Sequence, residues 1–299
     1  MEIIRETYTT FSENAEFLKK IFPQDDEKYY YDFLKYDPFF HPNNIYSIKN
    51  RNQTIATLWC LPRLFIDSKR TILAAGIANV ATDPSFRCQG LAGQLLEKVL
   101  KEAEVQNFEF IILVTEIPEY YKRWGFQKIG KYEGVIEPST TGKYPITCQN
   151  IPYENILDLY ISFYQDFQAI TPLRNLAYMK GMKEWNQWSS MFNYNGKKAD
   201  WFLLRNEIGQ SAIFYGLDRE EYFKVFEIIW DKNIDKKDLL ALLHNWAYQL
   251  GKNIHLDLPL PVINYLRLEA NKDDKDTVMV KPYEDIDINR IYLPVPDYF

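Results

Sequence analysis

The passage from Ile72 to about Glu104 constrains the fold of this 299-residue chain more than any other. Ile72 to Val80 is an apolar run of mostly small and β-branched residues and reads as a buried strand. Thr82-Asp83-Pro84-Ser85 breaks it, because Pro has no N–H for a sheet ladder and these residues favour turns. Beyond Gly90 the apolar positions Leu91, Leu95, Leu96, Val99 and Leu100 recur at helical spacing, which predicts a helix to about Glu104. The first turn of such a helix has backbone N–H groups without intrahelical partners, at the positive end of its dipole. Gly90 lets a ligand approach the backbone, Ala92 and Gly93 keep the turn narrow, and Arg87 adds positive charge. Arg87-Cys88-Gln89-Gly90-Leu91-Ala92-Gly93 therefore reads as a phosphate or pyrophosphate cradle. Its plainer alternative is a tight turn with a solvated arginine.

The neighbouring stretch bears on that choice. Phe108 to Val114 is a second apolar strand, followed by Thr115-Glu116-Ile117-Pro118-Glu119 and Tyr120-Tyr121-Lys122-Arg123-Trp124-Gly125-Phe126. Arg87-x-x-Gly90-x-Ala92 matches the Q/R-x-x-G-x-G/A signature of the GCN5-related N-acetyltransferases (GNAT), and Tyr121 to Phe126 resembles that family's second motif. The resemblance implies an α/β fold, a mixed sheet whose fourth strand carries a bulge and splays from the fifth to admit acetyl-coenzyme A (acetyl-CoA). It further implies that the amides from Cys88 to Gly93 bind the pyrophosphate and that the strand backbone at Asn79, Val80 and Ala81 holds the pantetheine arm. Tyr121 would protonate the departing thiolate.

The remainder is read in order. Glu2 to Tyr8 is a strand, Asn14 to Ile21 and Asp26 to Tyr36 are helices ended by Pro23 and Pro38, and Ile45 to Leu61 is a hairpin followed by a short strand at Leu64 to Asp67. The added strand pair is similar to the Eis (enhanced intracellular survival) branch, which has two acetyltransferase-type domains and then a sterol-carrier-like domain. A full third domain does not fit in this length. Gly, Pro, Thr and Ser gather between Gly130 and Pro152, which places a boundary between an acetyl-CoA-binding domain at 1–140 and a second GNAT-like domain at 141–299. The latter repeats the order hairpin (Trp201 to Tyr215), strand (Tyr222 to Trp230), helix (Lys236 to Leu250) and strand (Asn253 to Leu258). Its loop, Asp231 to Lys237, lacks glycine and is acidic, so this copy is degenerate for coenzyme A and is expected to wall the acceptor site.

Composition narrows the function. A net charge of −6 argues against a general nucleic-acid binder and suits a cationic acceptor. Cys60, Cys88 and Cys148 form no disulfide framework, and Cys88 reads as a tolerated loop residue. His41, His244 and His255 have no metal-ligand spacing, so no metal is expected. With no span long enough for a bilayer and no apolar leader, the chain reads as cytoplasmic, and a homo-oligomer is compatible with it. An attacking amine must be neutral, which calls for a base. Glu116, just past the end of the second apolar strand, is the candidate for binding or deprotonating the amine, a solvated loop carboxylate being its alternative; for Tyr121 the alternative is a packed ring. By resemblance to the Eis-like branch, the Phe299 carboxylate is a third catalytic candidate. The expected activity is transfer of an acetyl group from acetyl-CoA to a primary amine of a small molecule or peptide. Transfer of another acyl group, and a non-catalytic acyl-CoA sensor, are the alternatives.

Overall fold

The structure is a computed structural model that describes residues 2–68, 70–130, 132–139, 145–231, 233–269, 271–272, 277–294 and 297. Its N-terminal elements are β1 (Ile3–Arg5), α1 (Phe11–Ile21), α2 (Lys28–Tyr36), β2 (Ile45–Asn50), β3 (Gln53–Asp67), β4 (Arg70–Thr82), α3 (Leu91–Val105), β5 (Phe110–Thr115), α4 (Pro118–Lys122) and β6 (Gln127–Lys128). There follow β7 (Tyr132–Ile136), β8 (Ile146–Asn150), α5 (Leu157–Asp166), β9 (Thr171–Pro172), α6 (Leu176–Asn186), β10 (Asn193–Tyr194), β11 (Lys197–Lys198), β12 (Asp200–Asn206), β13 (Ser211–Asp218) and β14 (Tyr222–Trp230). The last are α7 (Lys236–Leu250), β15 (Asn253–Leu258), α8 (Leu260–Leu266), β16 (Asn271–Lys272) and β17 (Thr277–Pro282).

Two mixed sheets carry the architecture, as expected for tandem GNAT-like bodies. The first runs β1-β2-β3-β4-β5-β17-β6 with β9 on β3, and the second runs β16-β7-β15-β14-β13-β12-β8. They exchange strands across the expected boundary at 140/141. β7 joins the second sheet through β15, while β17 from near the end of the chain sits between β5 and β6 of the first. A single cut there leaves each sheet short of a strand. Apolar alternation along Val278 and Val280 fits β17 to the buried position it takes.

The second arm of the predicted hairpin and the short strand up to Asp67 are one continuous strand. β3 runs unbroken through Pro62, pairing with β4 from Ala56↔Thr82 to Asp67↔Arg70. Pairing with β2 ends at Trp59, so around Pro62 one flank of β3 is open and a missing N–H there costs no ladder bond.

The strand period sorts the core into faces. Ile72, Ala74, Phe110 and Ile112 pack in one cluster with the C-terminal body, whereas Ala75, Ile77, Ile111 and Leu113 pack with Leu91, Leu95, Leu96 and Val99 of α3. A third, aromatic cluster joins α1 and α2 to α6. Phe33 stacks on Trp185 with centroids 4.7 Å apart, a contact worth about 0.5–1.5 kcal/mol beyond its burial. Gly181 permits the approach, since a Cβ there would lie 2.7 Å from the Tyr36 carbonyl oxygen. Among the described residues, no helix is long and apolar enough to cross a membrane.

Candidate active site

The site begins as a defect in the first sheet. β4 and β5 pair in parallel only from Ala74↔Phe110 to Ile77↔Leu113. β4 stays with β3 as far as Thr82, and β5 stays with β17 as far as Thr115, so the two strands part beyond Ile77. A bulge drives the parting: between Thr57↔Ala81 and Ala78↔Trp59, β3 has Leu58 alone and β4 has both Asn79 and Val80. Asn79 holds φ at +49°, a left-handed conformation that asparagine tolerates better than most residues. Its Nδ2 is buried and has no hydrogen-bond acceptor among the described residues.

The opened wedge is a cleft of about 430 Å³. Ile77, Ala78, Asn79 and Val80 form one wall, Leu113 to Ile117 the other, and Tyr121 closes the side nearest α4. Asn79, Val80, Glu116 and Tyr121 thus come together as expected. Ala81 does not join them: it is 3% exposed and packs into the aromatic cluster of α1, α2 and Trp59, on the far side of the bulge.

The cradle follows directly from β4. Pro84 to Phe86 make a single 3₁₀ turn, Cys88 and Gly90 take φ of +61° and +76°, and α3 starts at Leu91 with Gly90 as its N-cap. The first helical bond runs from the Gln94 N–H to the Gly90 carbonyl at 3.0 Å. The N–H groups of Cys88, Gln89, Gly90, Leu91, Ala92 and Gly93 have no acceptor among the described residues, and Cys88 to Gly90 face solvent. Arg87 is exposed, with its Nε donating to the Thr82 carbonyl at 3.3 Å. Gly93 acts differently from its expected part: a Cβ there would lie 3.2 Å from Trp124 Cζ2, so its smallness lets the segment after α4 pack on the first turn of α3. That packing joins the cradle to the element carrying Tyr121.

Tyr121 is 6% exposed, packed edge-on against Tyr120 and Phe126 at 5.0 and 5.8 Å between centroids. Burial, aided by the neighbouring Tyr120, pushes its phenol well above the ordinary value, so it stays protonated at neutral pH. Tyr120 points elsewhere, its hydroxyl 3.7 Å from where a Gly93 Cβ would be and its ring 4.2 Å beneath the Arg123 guanidinium. Glu116 is exposed on the rim. Phe299 lies outside the described residues; Asp297, two positions before it, is buried on Arg174, whose Nε donates to both its carboxylate oxygens at 3.2 Å.

The far end of the cleft holds residues that sequence reasoning passed over. Phe22, Gln24 and Asp25 come from the link between α1 and α2, Tyr29 from α2, and Ser189 from the C-terminal body. Burial raises the Asp25 carboxyl above its ordinary range, against the Ser190 donors and Lys19, which act to lower it. The available signal was an acidic pair, Asp25-Asp26, following Pro23-Gln24 in the link between two helices.

The second body repeats the pattern with the opening filled. β14 and β15 pair in parallel from Tyr222↔Asn253 to Val225↔Leu256, and β14 has an extra residue, Phe226, where Val225 opposes Gly216 and Glu227 opposes Tyr215. Beyond that bulge Trp230 stacks on Tyr265 and packs edge-on against Phe163 at 4.6 Å. Glu227 accepts from Arg174 Nη2 and the Tyr164 hydroxyl at 2.8 and 2.9 Å.

These features define an open cleft in the N-terminal body, walled by β4 and β5 and closed by Tyr121. Residues 2–129 match the family described as Acetyltransferase (GNAT) domain. The fold extends over both bodies: the chain is similar to Eis1 from Mycobacterium abscessus with a TM-score of 0.65 and 9% identity, over 94% of this chain and 74% of that one. A conserved protein from Enterococcus faecalis V583 is similar with a TM-score of 0.72 and 15% identity, over 93% and 72% of the two chains. A GCN5-related N-acetyltransferase from Kribbella flavida is similar at 0.67 and 13%, over 93% and 70%. No curated protein shows significant sequence similarity to the chain.

Proposed function

We propose that this chain is a cytoplasmic N-acetyltransferase that moves the acetyl group of acetyl-CoA to a primary amine by direct attack. One observation carries the reading: β4 parts from β5 into a cleft lined by Asn79, Val80 and Tyr121, and the same strand leads on into the turn with unpartnered N–H groups at the start of α3. The amides from Cys88 to Gly93 bind the pyrophosphate, and the β4 backbone at the bulge, with the free Asn79 Nδ2, holds the pantetheine amides. Acetyl-CoA supplies the activated acyl carbonyl at the neck of the wedge. The amine enters from the opposite end, past Phe22 and Tyr29, where Asp25 and Glu116 are the carboxylates of the cleft lining and favour a cation on binding. Asp25, raised by burial, is the better proton acceptor of the two. As the thioester C–S bond breaks, the Tyr121 hydroxyl gives its proton to the sulfur. The Phe299 carboxylate is a further proposed proton acceptor, carried by resemblance alone.

A thiol-release assay with acetyl-CoA and a panel of primary amines tests this. Amine-dependent release supports the reading. Release only from a longer acyl donor replaces the acetyl group, and saturable binding without release makes the chain an acyl-CoA sensor.

A further inference from the structure

The segment that reaches the acceptor end from the C-terminal body grips the Asp25 link more firmly than a passive wall requires. The Trp188 carbonyl accepts from the Asp26 N–H at 3.4 Å, and the Trp188 indole N–H donates to Asp32 Oδ2 at 2.7 Å. The Lys28 ammonium lies 4.5 Å from the centre of the Trp188 ring, and that of Lys198 lies 5.1 Å away. Two residues on, the Ser190 N–H donates to Asp25 Oδ1 at 3.4 Å, while Ser189 between them lines the cleft. Apart from Lys198, these partners belong to the link that carries Asp25 or to α2, which follows it.

We propose that Trp188-Ser189-Ser190 is a positioning element that holds the Asp25 carboxylate in the acceptor cleft, which makes the C-terminal body a working part of that site. Asp25 sits in the short link between α1 and α2, and a carboxylate on such a link gains hydration by turning outward. Trp188 opposes that turn by holding the link through its carbonyl and α2 through its ring. Ser190 donates to the ionised carboxylate and offsets part of its desolvation. The groups facing Asp25 are few. Lys19 of α1 donates through Nζ to the Asp25 carbonyl at 2.6 Å, Tyr29 and Tyr30 face it from α2, Ser190 faces it from the C-terminal body, and Glu116 shares the cleft. The two halves of the clamp therefore act on the carboxyl in opposite directions. Losing a Ser190 donor leaves Asp25 buried and less solvated. Losing Trp188 releases it to water.

The inference rests on the cleft being the acceptor site, so the test has a readout that does not need turnover. The full chain, labelled with carbon-13 at the aspartate carboxyls, is titrated by NMR, with Asp25→Asn assigning the signal. The Asp25 midpoint should lie above the ordinary value in the parent, rise further in Ser190→Pro, which removes the donating N–H, and fall in Trp188→Leu, each by about half a pH unit or more. Asp32→Leu, which removes only the acceptor of the indole N–H, should move it the same way as Trp188→Leu and serves if that variant does not fold. In the thiol-release assay both variants should raise KM for the amine and leave KM for acetyl-CoA within about twofold. Midpoints unchanged in folded variants, or shifted in one common direction, overturn the positioning role. Midpoints that move as stated in a chain that releases no thiol with any amine leave the positioning intact and sink the acyl-transfer reading.

Discussion

Tyr121 and Tyr120 are adjacent in sequence and opposed in space. The Tyr121 ring closes the cleft, and the Tyr120 hydroxyl lies over the start of α3. A positioned acid that serves a leaving thiolate contributes about 10²–10⁴-fold. Tyr121→Phe should thus lower kcat at least about tenfold with KM for acetyl-CoA nearly unchanged, the mark of an interaction made in the transition state. Tyr120→Phe should change kcat little, and steady-state kinetics on both variants decides whether the motif's register is right. Gly90 is the other residue whose identity is chemically necessary. A Cβ there meets no atom within 4 Å, so Gly90→Val should fold, with about 1–2 kcal/mol of backbone strain from its φ of +76°. The added bulk instead faces the ligand, and calorimetry should show most of the acetyl-CoA affinity gone while the far-UV circular dichroism stays that of the parent.

At the scale of elements, α3 has to stay registered against the sheet if its first turn is to face the cleft. Glu102 near its C-terminal end takes much of that duty. It pairs with Arg5 of β1 and with Lys98 at 2.9 Å, and it accepts from the Tyr46 hydroxyl of β2 at 2.5 Å. Partial burial pushes its carboxyl up, but Lys98, Tyr46 and Arg5 together bring it down to about 2. A carboxyl lowered on folding stabilises the native state at pH above its unfolded value, near about 4.3. That stability is lost as pH falls through the folded value. Urea melts of Glu102→Gln against the parent should show a stability gap that is constant from pH 7 to about pH 5 and narrows steadily below that. A gap that widens in acid would assign the opposite sign to this contact.

At the scale of the molecule, one open cleft and one filled opening are built on the same strand order. The first bulge presents Asn79 with a free amide donor, and the second presents Glu227, held by Arg174 and Tyr164. Trp230, Tyr265 and Phe163 occupy the gap past the second bulge. Calorimetric titration of acetyl-CoA should therefore give one site per chain, and two equivalent sites would overturn the reading of the second body. Its contribution lies instead in β17, in the core it shares with the first sheet, and in the turn at Trp188 to Ser190.

The sequence by itself determined the local units. α7 and β15 fall on the residues that periodicity assigned to them, and the strand, cradle and helix from β4 to α3 lie within two residues of expectation, because each is set by nearby turn chemistry and apolar spacing. Tyr121 was picked out by a short motif and Glu116 by its place just past an apolar strand, and both line the cleft. Only the tertiary structure decided the rest. Nothing local marks Thr277–Pro282 as the strand between β5 and β6, or assigns Tyr132–Ile136 to the second sheet, since strand pairing over such separations depends on which edges the rest of the chain leaves open. Asp25 reads as one of two acidic residues before a helix. It becomes a cleft carboxylate because α1 and α2 pack beside the wedge and a turn more than 160 residues away donates to it. Burial and partners that distant belong to the fold, and the burial raises this carboxyl against the Ser190 donors that act to lower it.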